Sequence, residues 1–316
     1  MSVPTSTHET YAQIGRREDL SDVISMITPT DTPFLTGAGK EDADQTNHEW
    51  QTMALAAASG ANAVPEGDDA ENDAATVTVR LGNICQISDK VAQVSTTAEV
   101  VKKAGRKSEL ALQMAAKSKE LKRDLETILV GTNQAKVTGS SGTARKTASV
   151  LSWILTNANK ASDGSNPSAA DGTGTRTDGT QRAFTEVLLK SALAACWESG
   201  GDPDTAMVGS FNKQAASAFT GNATRYVDAQ AEELKASIQI YDHDFGALKM
   251  LPNRFSRGRD CLLLQMDLWK IAYLQNFTMQ DLARTGLSFR KQIWAEYALV
   301  ALNEKGSGGV FDLTTS

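Results

Sequence analysis

The chain has 316 residues, 22% of them charged and 41% hydrophobic, with a formal net charge of −6 and a pI near 5.3. That length can bury a large core in two lobes, or in one lobe with long excursions, and no apolar run is long enough to span a bilayer. The acidic balance disfavours direct sequence-reading of nucleic acid, which wants a basic face, and three widely spaced cysteines in apolar surroundings, Cys85, Cys196 and Cys261, fit buried free thiols better than disulfides or a zinc site.

Residues 1–45 read as an arm. The start lacks the basic region and apolar segment of a secretory signal, so the chain is expected to stay in the cytoplasm where it is made, and a sequence opening on Met1 is expected to keep its N-terminus. Leu20, Val23, Ile24 and Ile27 fall on one side of a short helix predicted over Arg17–Ile27, and that stripe needs a partner. Pro29 and Pro33 then predict an extended, non-helical path for Thr28–Leu35.

Alternation predicts a strand over Thr46–Leu55, with His48, Trp50 and Thr52 on one face, and a returning strand from Thr76 in which Gly82 and Asn83 suggest a bulge. Between them Ala56–Ala75 is small and acidic, far too long for a tight turn. Such loops are usually functional, and two strands alone are marginal in water. A projecting β-loop that rests on another subunit is the expectation, with 46–87 as loop and base strands.

Thr96–Val130 is the longest proline-free helical pattern. Val101, Ala104, Ser108, Ala111, Ala115, Ser118, Leu121, Leu125 and Ile128 recur at helix spacing, Gly105 marks a junction, and Gly131 supplies the stop. The better helix, Arg106–Val130, would be a rod of roughly 37 Å. Val150–Leu155 is a short apolar strand or helix, and Asn157–Arg182, rich in Ser, Gly, Thr and Asp, reads as a surface insertion.

Phe184, Val187, Leu188, Ser191, Ala192, Ala195 and Cys196 predict an amphipathic helix closed by Gly200 and Gly201. Thr205–Gly209 is a buried strand, Ser210 an N-cap for a helix reaching Phe219, and Ser237–Tyr241 with Ala247–Leu251 a hairpin through Asp242–Gly246. Cys261–Met266 adds another strand. The last element is a long strand, with Leu287, Phe289, Ile293, Ala295, Tyr297, Leu299 and Ala301 on one face and Lys291 as the discord; at 3.3 Å per residue it spans roughly 50 Å. Its expected partners are the base strands of the projecting loop. Residues 88–133 and 284–316 thus belong to one lobe and 134–283 to the other.

Enzyme chemistry is missing. Gly139–Thr147 lacks the Gly directly before Lys of a phosphate loop, His8, His48 and His243 match no metal spacing, and Asp242-His243-Asp244 is best read as a polar hairpin tip. No cofactor or metal is expected.

Three stretches resemble a known family: Arg17–Leu35; Trp50-Gln51, Val64–Asp68 and Ala104–Glu126; and Asp244–Phe255 through Trp269–Leu274 and Ala283–Gly286 to Asn303–Leu313. In that order they resemble major capsid proteins of tailed bacteriophages with the Hong Kong 97 type of shell fold. The resemblance implies an α+β fold with N-terminal arm, extended β-loop, peripheral domain with a spine helix and long sheet, and an axial α/β domain. It implies pentamers and hexamers closing a shell around double-stranded DNA contacted non-specifically, portal and decoration partners, no membrane, and assembly in the host cytoplasm into a virion. The acidic loop residues Glu66, Asp68, Asp69, Glu71 and Asp73 are expected to dock on a neighbour's Lys102, Lys103, Arg106 and Lys107, and Leu20, Val23, Ile24, Pro33 and Phe34 to anchor the arm beneath another subunit. Two rivals are an encapsulin-like compartment and a cytoplasmic α/β enzyme using His243.

Overall fold

The computed structural model describes residues 28–69, 73–103, 105–219 and 240–316. The helix expected at Arg17–Ile27, with Leu20, Val23 and Ile24, lies outside them, as do Glu71, Ala104 and the first residues of the strand expected at Ser237. In chain order the described elements are α1 (Pro33–Gly37), β1 (Gly39–Asp42), β2 (Asn47–Thr52), β3 (Val79–Ile84), β4 (Gln86–Ser95), α2 (Thr96–Val100), α3 (Glu109–Glu126), α4 (Val150–Trp153), β5 (Ala158–Asn159), α5 (Glu186–Glu198), β6 (Thr205–Val208), α6 (Ser210–Ser217), β7 (Ile240–His243), β8 (Gly246–Pro252), β9 (Cys261–Leu264), β10 (Trp269–Asp281), β11 (Ser288–Ala301) and β12 (Gly308–Val310). They form a four-stranded sheet ordered β1-β10-β11-β4, a six-stranded sheet ordered β5-β12-β9-β6-β8-β7, and the separate pair β2-β3.

β11 is the long strand that its alternation predicts, and Ile293, Ala295, Tyr297, Leu299 and Ala301 are buried as expected. Leu287, just before it, is exposed. Its partners differ from the expectation. One side takes β10, from Trp269 opposite Ala301 to Asp281 opposite Lys291; the other takes β4, from Gln86 opposite Tyr297 to Ser95 opposite Ser288. The β2-β3 pair turns away because the strand breaks at Cys85, whose N–H donates to the Thr46 carbonyl at 2.8 Å. No bulge occurs at Gly82-Asn83: the pairing runs in register from Asn47 opposite Ile84 to Thr52 opposite Val79. Asn83 is instead a buried staple. Its Nδ2 donates to the Leu299 carbonyl at 2.7 Å, and its Oδ1 accepts from the Ala148 and Ile84 amides at 2.9 Å.

The helical pattern of Thr96–Val130 resolves into α2, a left-handed Gly105 (φ 72°), and α3, capped by Ser108, whose hydroxyl accepts from Ala111 N at 3.1 Å. The 18 residues of α3 make a rod of about 27 Å, shorter than expected. Met114, Leu121 and Leu125 are buried against the four-stranded sheet, whereas Ala111 and Ala115 face solvent. The stripe is rotated because large side chains decide which face is buried, and alanine contributes little either way. The helix then widens into a π turn, Thr127–Gly131. A Cβ at Gly131 would lie 2.1 Å from the Phe255 carbonyl oxygen, so glycine alone lets the two segments meet.

Beside this joint the arm ends differently from expectation. Pro33 starts a helix instead of extending the chain, since proline suits the first helical turn. The amides of Phe34 and Leu35 donate to Glu126 Oε1 and Oε2 at 2.9 and 2.8 Å, and Asn253 Nδ2 donates to Oε1 at 2.7 Å. Phe34 is fully buried edge-on to Trp269, with ring centroids 6.4 Å apart. Within its own chain it therefore secures the end of the arm to the spine.

β6, buried at every residue, lies between β8 and β9. α5 is capped by Thr185 and buries Leu189, Ala192, Leu193 and Cys196, while Val187, expected inside, is exposed. Gly200 (φ 84°) ends it as expected. Ser210 is the first residue of α6, not its cap. The hairpin of β7 and β8 occurs, but its turn is only Asp244-Phe245, so Asp242 and His243, expected at the tip, lie in β7 opposite Ala247 and Gly246; the strand β9 matches its expected start.

Asn157–Arg182 keeps an exposed side, with Asp163, Thr173 and Thr177 open to solvent, yet is pinned to the core. Arg176 and Asp312 are buried, and Asp312 accepts from Gly179 N at 2.7 Å, Ala161 N at 3.1 Å and Arg259 Nη2 at 3.1 Å. The two main sheets also exchange segments: β10 joins the four-stranded sheet from within 134–283, and β12 joins the six-stranded sheet from within 284–316.

Candidate functional site

The most exposed feature is the span between β2 and β3. It has no regular structure among its described residues, and Leu55, Val64 and Val77 are 84%, 78% and 83% exposed. Glu66, Asp68, Asp69 and Asp73 stand on the same stretch and are exposed. Gly67, at φ 85°, turns the chain between them. Its base is fixed by Trp50, whose Nε1 donates to the Ala301 carbonyl at 3.0 Å and whose ring lies 5.4 Å from that of Trp153.

The expected basic face divides. Lys103 pairs with Glu99 at 3.6 Å and donates to its carbonyl at 3.1 Å, and Arg106 pairs with Glu109, so both are already neutralised within the chain. Glu99 also accepts from the Glu109 and Leu110 amides at 3.0 and 3.2 Å. The Ser108 hydroxyl and these amides hold its carboxyl below the ordinary carboxylate value. Lys102 and Lys107 are exposed and have no ion pair among the described residues.

Exposed apolar side chains also stand on β4 and after it. Ile87 and Val91 point from β4 to the sheet face opposite α3, 52% and 38% exposed, beside half-buried Trp294 on β11. Val100 ends α2, which follows β4, and it and Val101 are 84% and 57% exposed. Sequence reading missed Ile87 and Val91 because β4 buries Ser88 and Lys90 only partly and turns Ile87 outward, the reverse of the usual alternation. Glu126 was missed as well; only its place on the apolar side of a helix could have flagged it.

His243 lies at the end of β7, beside the turn of the β7–β8 hairpin. Its Nδ1 accepts from Phe245 N at 3.2 Å, its ring packs 6.4 Å from that of Tyr241, and burial lowers its pKa. A cleft of about 350 Å³ is lined by Ser88, Asp89, Asp124, Thr127 and Ile128, away from that histidine. Gly139–Thr147 makes a tight turn in which Ser140 and Thr143 exchange backbone bonds of 2.9 and 3.2 Å. The three thiols are free and buried, and burial pushes Cys85 up to about 11 and Cys196 up to about 12. Among the described residues no cluster of metal-binding side chains occurs, and no helix is long and apolar enough to cross a membrane.

The family model described as SU10 major capsid protein matches residues 3–314. The major capsid protein of Escherichia phage Phieco32 is 45% identical over 120 residues, 38% of this chain, and the match spans about a third (34%) of that relative. The cyanophage A-1(L) capsid asymmetric unit superposes with a TM-score of 0.68 at 11% identity, covering 98% of this chain and 99% of its own. The SrpI encapsulin complex of Synechococcus elongatus gives 0.58 at 11% identity, covering 95% and 93%. The fold is the α+β Hong Kong 97-like shell fold that the resemblance implied.

Proposed function

Because this chain belongs to the SU10 major capsid protein family, we propose that copies of it, as pentamers and hexamers, close an icosahedral or elongated phage head around double-stranded DNA. The observation that carries this reading is the loop between β2 and β3: no described residue of its own subunit covers its apolar side chains, which suits cover by a second copy. Leu55, Val64 and Val77 of one copy lie along Ile87, Val91, Val100 and Val101 of the next. Glu66, Asp68, Asp69 and Asp73 meet Lys102 and Lys107 there. Apolar burial supplies most of the stabilisation, since exposed ion pairs contribute only about 0–1 kcal/mol each, and the charges set register. The role is geometric and not catalytic. Assembly proceeds in the host cytoplasm, with portal and decoration proteins completing the head.

The test is assembly of Leu55→Ser/Val77→Ser and of Lys102→Glu/Lys107→Glu, with circular dichroism to verify each fold. The apolar variant should leave unassembled subunits, and the charge variant should assemble with lower yield and reduced salt tolerance. Closed shells at unchanged yield from both would refute the docking. DNA rather than packaged enzyme inside purified particles decides against the compartment reading.

A further inference from the structure

The chain is acidic overall, yet one surface runs against that balance. On one side of the C-terminal half of α3 stand Lys119, Lys122 and Arg123, and Arg254 follows on the loop whose Phe255 meets the end of the helix. Lys117 pairs with Glu120 at 2.8 Å and Lys90 with Asp124 at 2.6 Å. These two pairs lie round the helix from Lys119, Lys122, Arg123 and Arg254, which gather four cations on a chain of net charge −6. Lys122 Nζ lies 5.9 Å from the Phe277 ring centroid and the Arg123 guanidinium 5.4 Å from that of Phe255, so cation–π contacts hold both charges in place on this side of the helix.

We propose that this face of α3, continued by Arg254, is the inner wall on which packaged double-stranded DNA lies, gripped by its phosphates without base reading. The inference rests on the shell function proposed above. Sequence-independent binding needs clustered cations and no base-stacking platform, and the phenyl rings here sit beneath the cations instead of offering their faces. A neighbour's acidic loop is the other anionic candidate. It needs an apolar seat for Leu55, Val64 and Val77, and α3 exposes no large apolar side chain.

The experiment uses capsomers of the full-length chain, open to solution on both faces, and a labelled random-sequence DNA duplex. Binding is read by fluorescence anisotropy across a salt series. Lys119→Gln/Lys122→Gln/Arg254→Gln is compared with the charge-matched control Lys40→Gln/Lys249→Gln/Lys305→Gln, whose three lysines are exposed elsewhere. The slope of log K against log salt should fall by about 0.9 for each phosphate that the patch variant no longer neutralises, and affinity at low salt by at least about tenfold. The control should match wild type. Equal losses in both variants would overturn the proposal, because net charge alone would then explain binding. Capsomers that form but bind no duplex would overturn it and leave the shell reading standing. Failure of the patch variant alone to assemble would make the patch a subunit contact, also overturning it. Wild-type chain that forms no capsomers would count against the shell function itself.

Discussion

Replacing Glu126 by alanine should detach the arm from the spine. The carboxylate is fully buried, no ion pair of the described residues reaches it, and its three hydrogen bonds draw together α1, α3 and the residue after β8. Alanine strands two buried amides and the Asn253 side chain, and each unsatisfied buried donor costs about 1–3 kcal/mol. Desolvation of the charge in the native state offsets part of this, so a net loss of about 3–5 kcal/mol is expected. The assay is denaturant unfolding of the subunit, with hydrogen exchange at Phe34 and Leu35 as the local readout. Glu126→Gln should lose less, since one amide oxygen still accepts while its NH₂ opposes a donor. Burial raises the Glu126 pKa above its ordinary value of 4.5 despite these bonds. A raised carboxyl contributes stability that is complete below 4.5 and is lost as pH rises through the folded value. The stability of wild type relative to Glu126→Gln should therefore fall as pH increases from 4.5. An alanine variant within about 1 kcal/mol of wild type, with both amides still protected, would refute the reasoning.

Trp50→Ala removes the anchor at the loop base, and loss of its hydrogen bond and half-buried ring should cost about 2–4 kcal/mol. Thermal unfolding should show this, and electron microscopy should show a larger loss of assembly than of folding. Asp260 is buried beside Arg257, and burial pushes its carboxyl from 3.8 up to about 6. That shift corresponds to about 3 kcal/mol of stability present below pH 3.8 and lost as pH rises through about 6, so urea titrations of wild type should lose stability relative to Asp260→Asn across that window.

Elements whose local chemistry agrees with their place were legible. β11 alternates large apolar residues over 14 positions, and its strand character survives any choice of partner. Its neighbours were not legible, because β10 and β4 pair with it across long sequence separations and β4 carries Ser88 and Lys90 toward the helix. Ala111 and Ala115 misplaced the buried stripe of α3, while Leu121 and Leu125 located it. The loop was recognisable from its length and acidity. That Lys103 and Arg106 are already paired depends on Glu99 and Glu109 folding back, which spacing alone does not decide. Glu126 shows the general difficulty: a buried carboxylate reads as surface until the amides that receive it, 91 and 92 positions away, are in place.

Electron cryomicroscopy of the purified full-length chain tests the central claim most directly. Closed shells tens of nanometres wide should appear, built from pentamers and hexamers, with density for residues 53–78 of each subunit lying across β4 and α2 of its neighbour. Discrete small oligomers, or shells in which that loop touches only its own subunit, would contradict it.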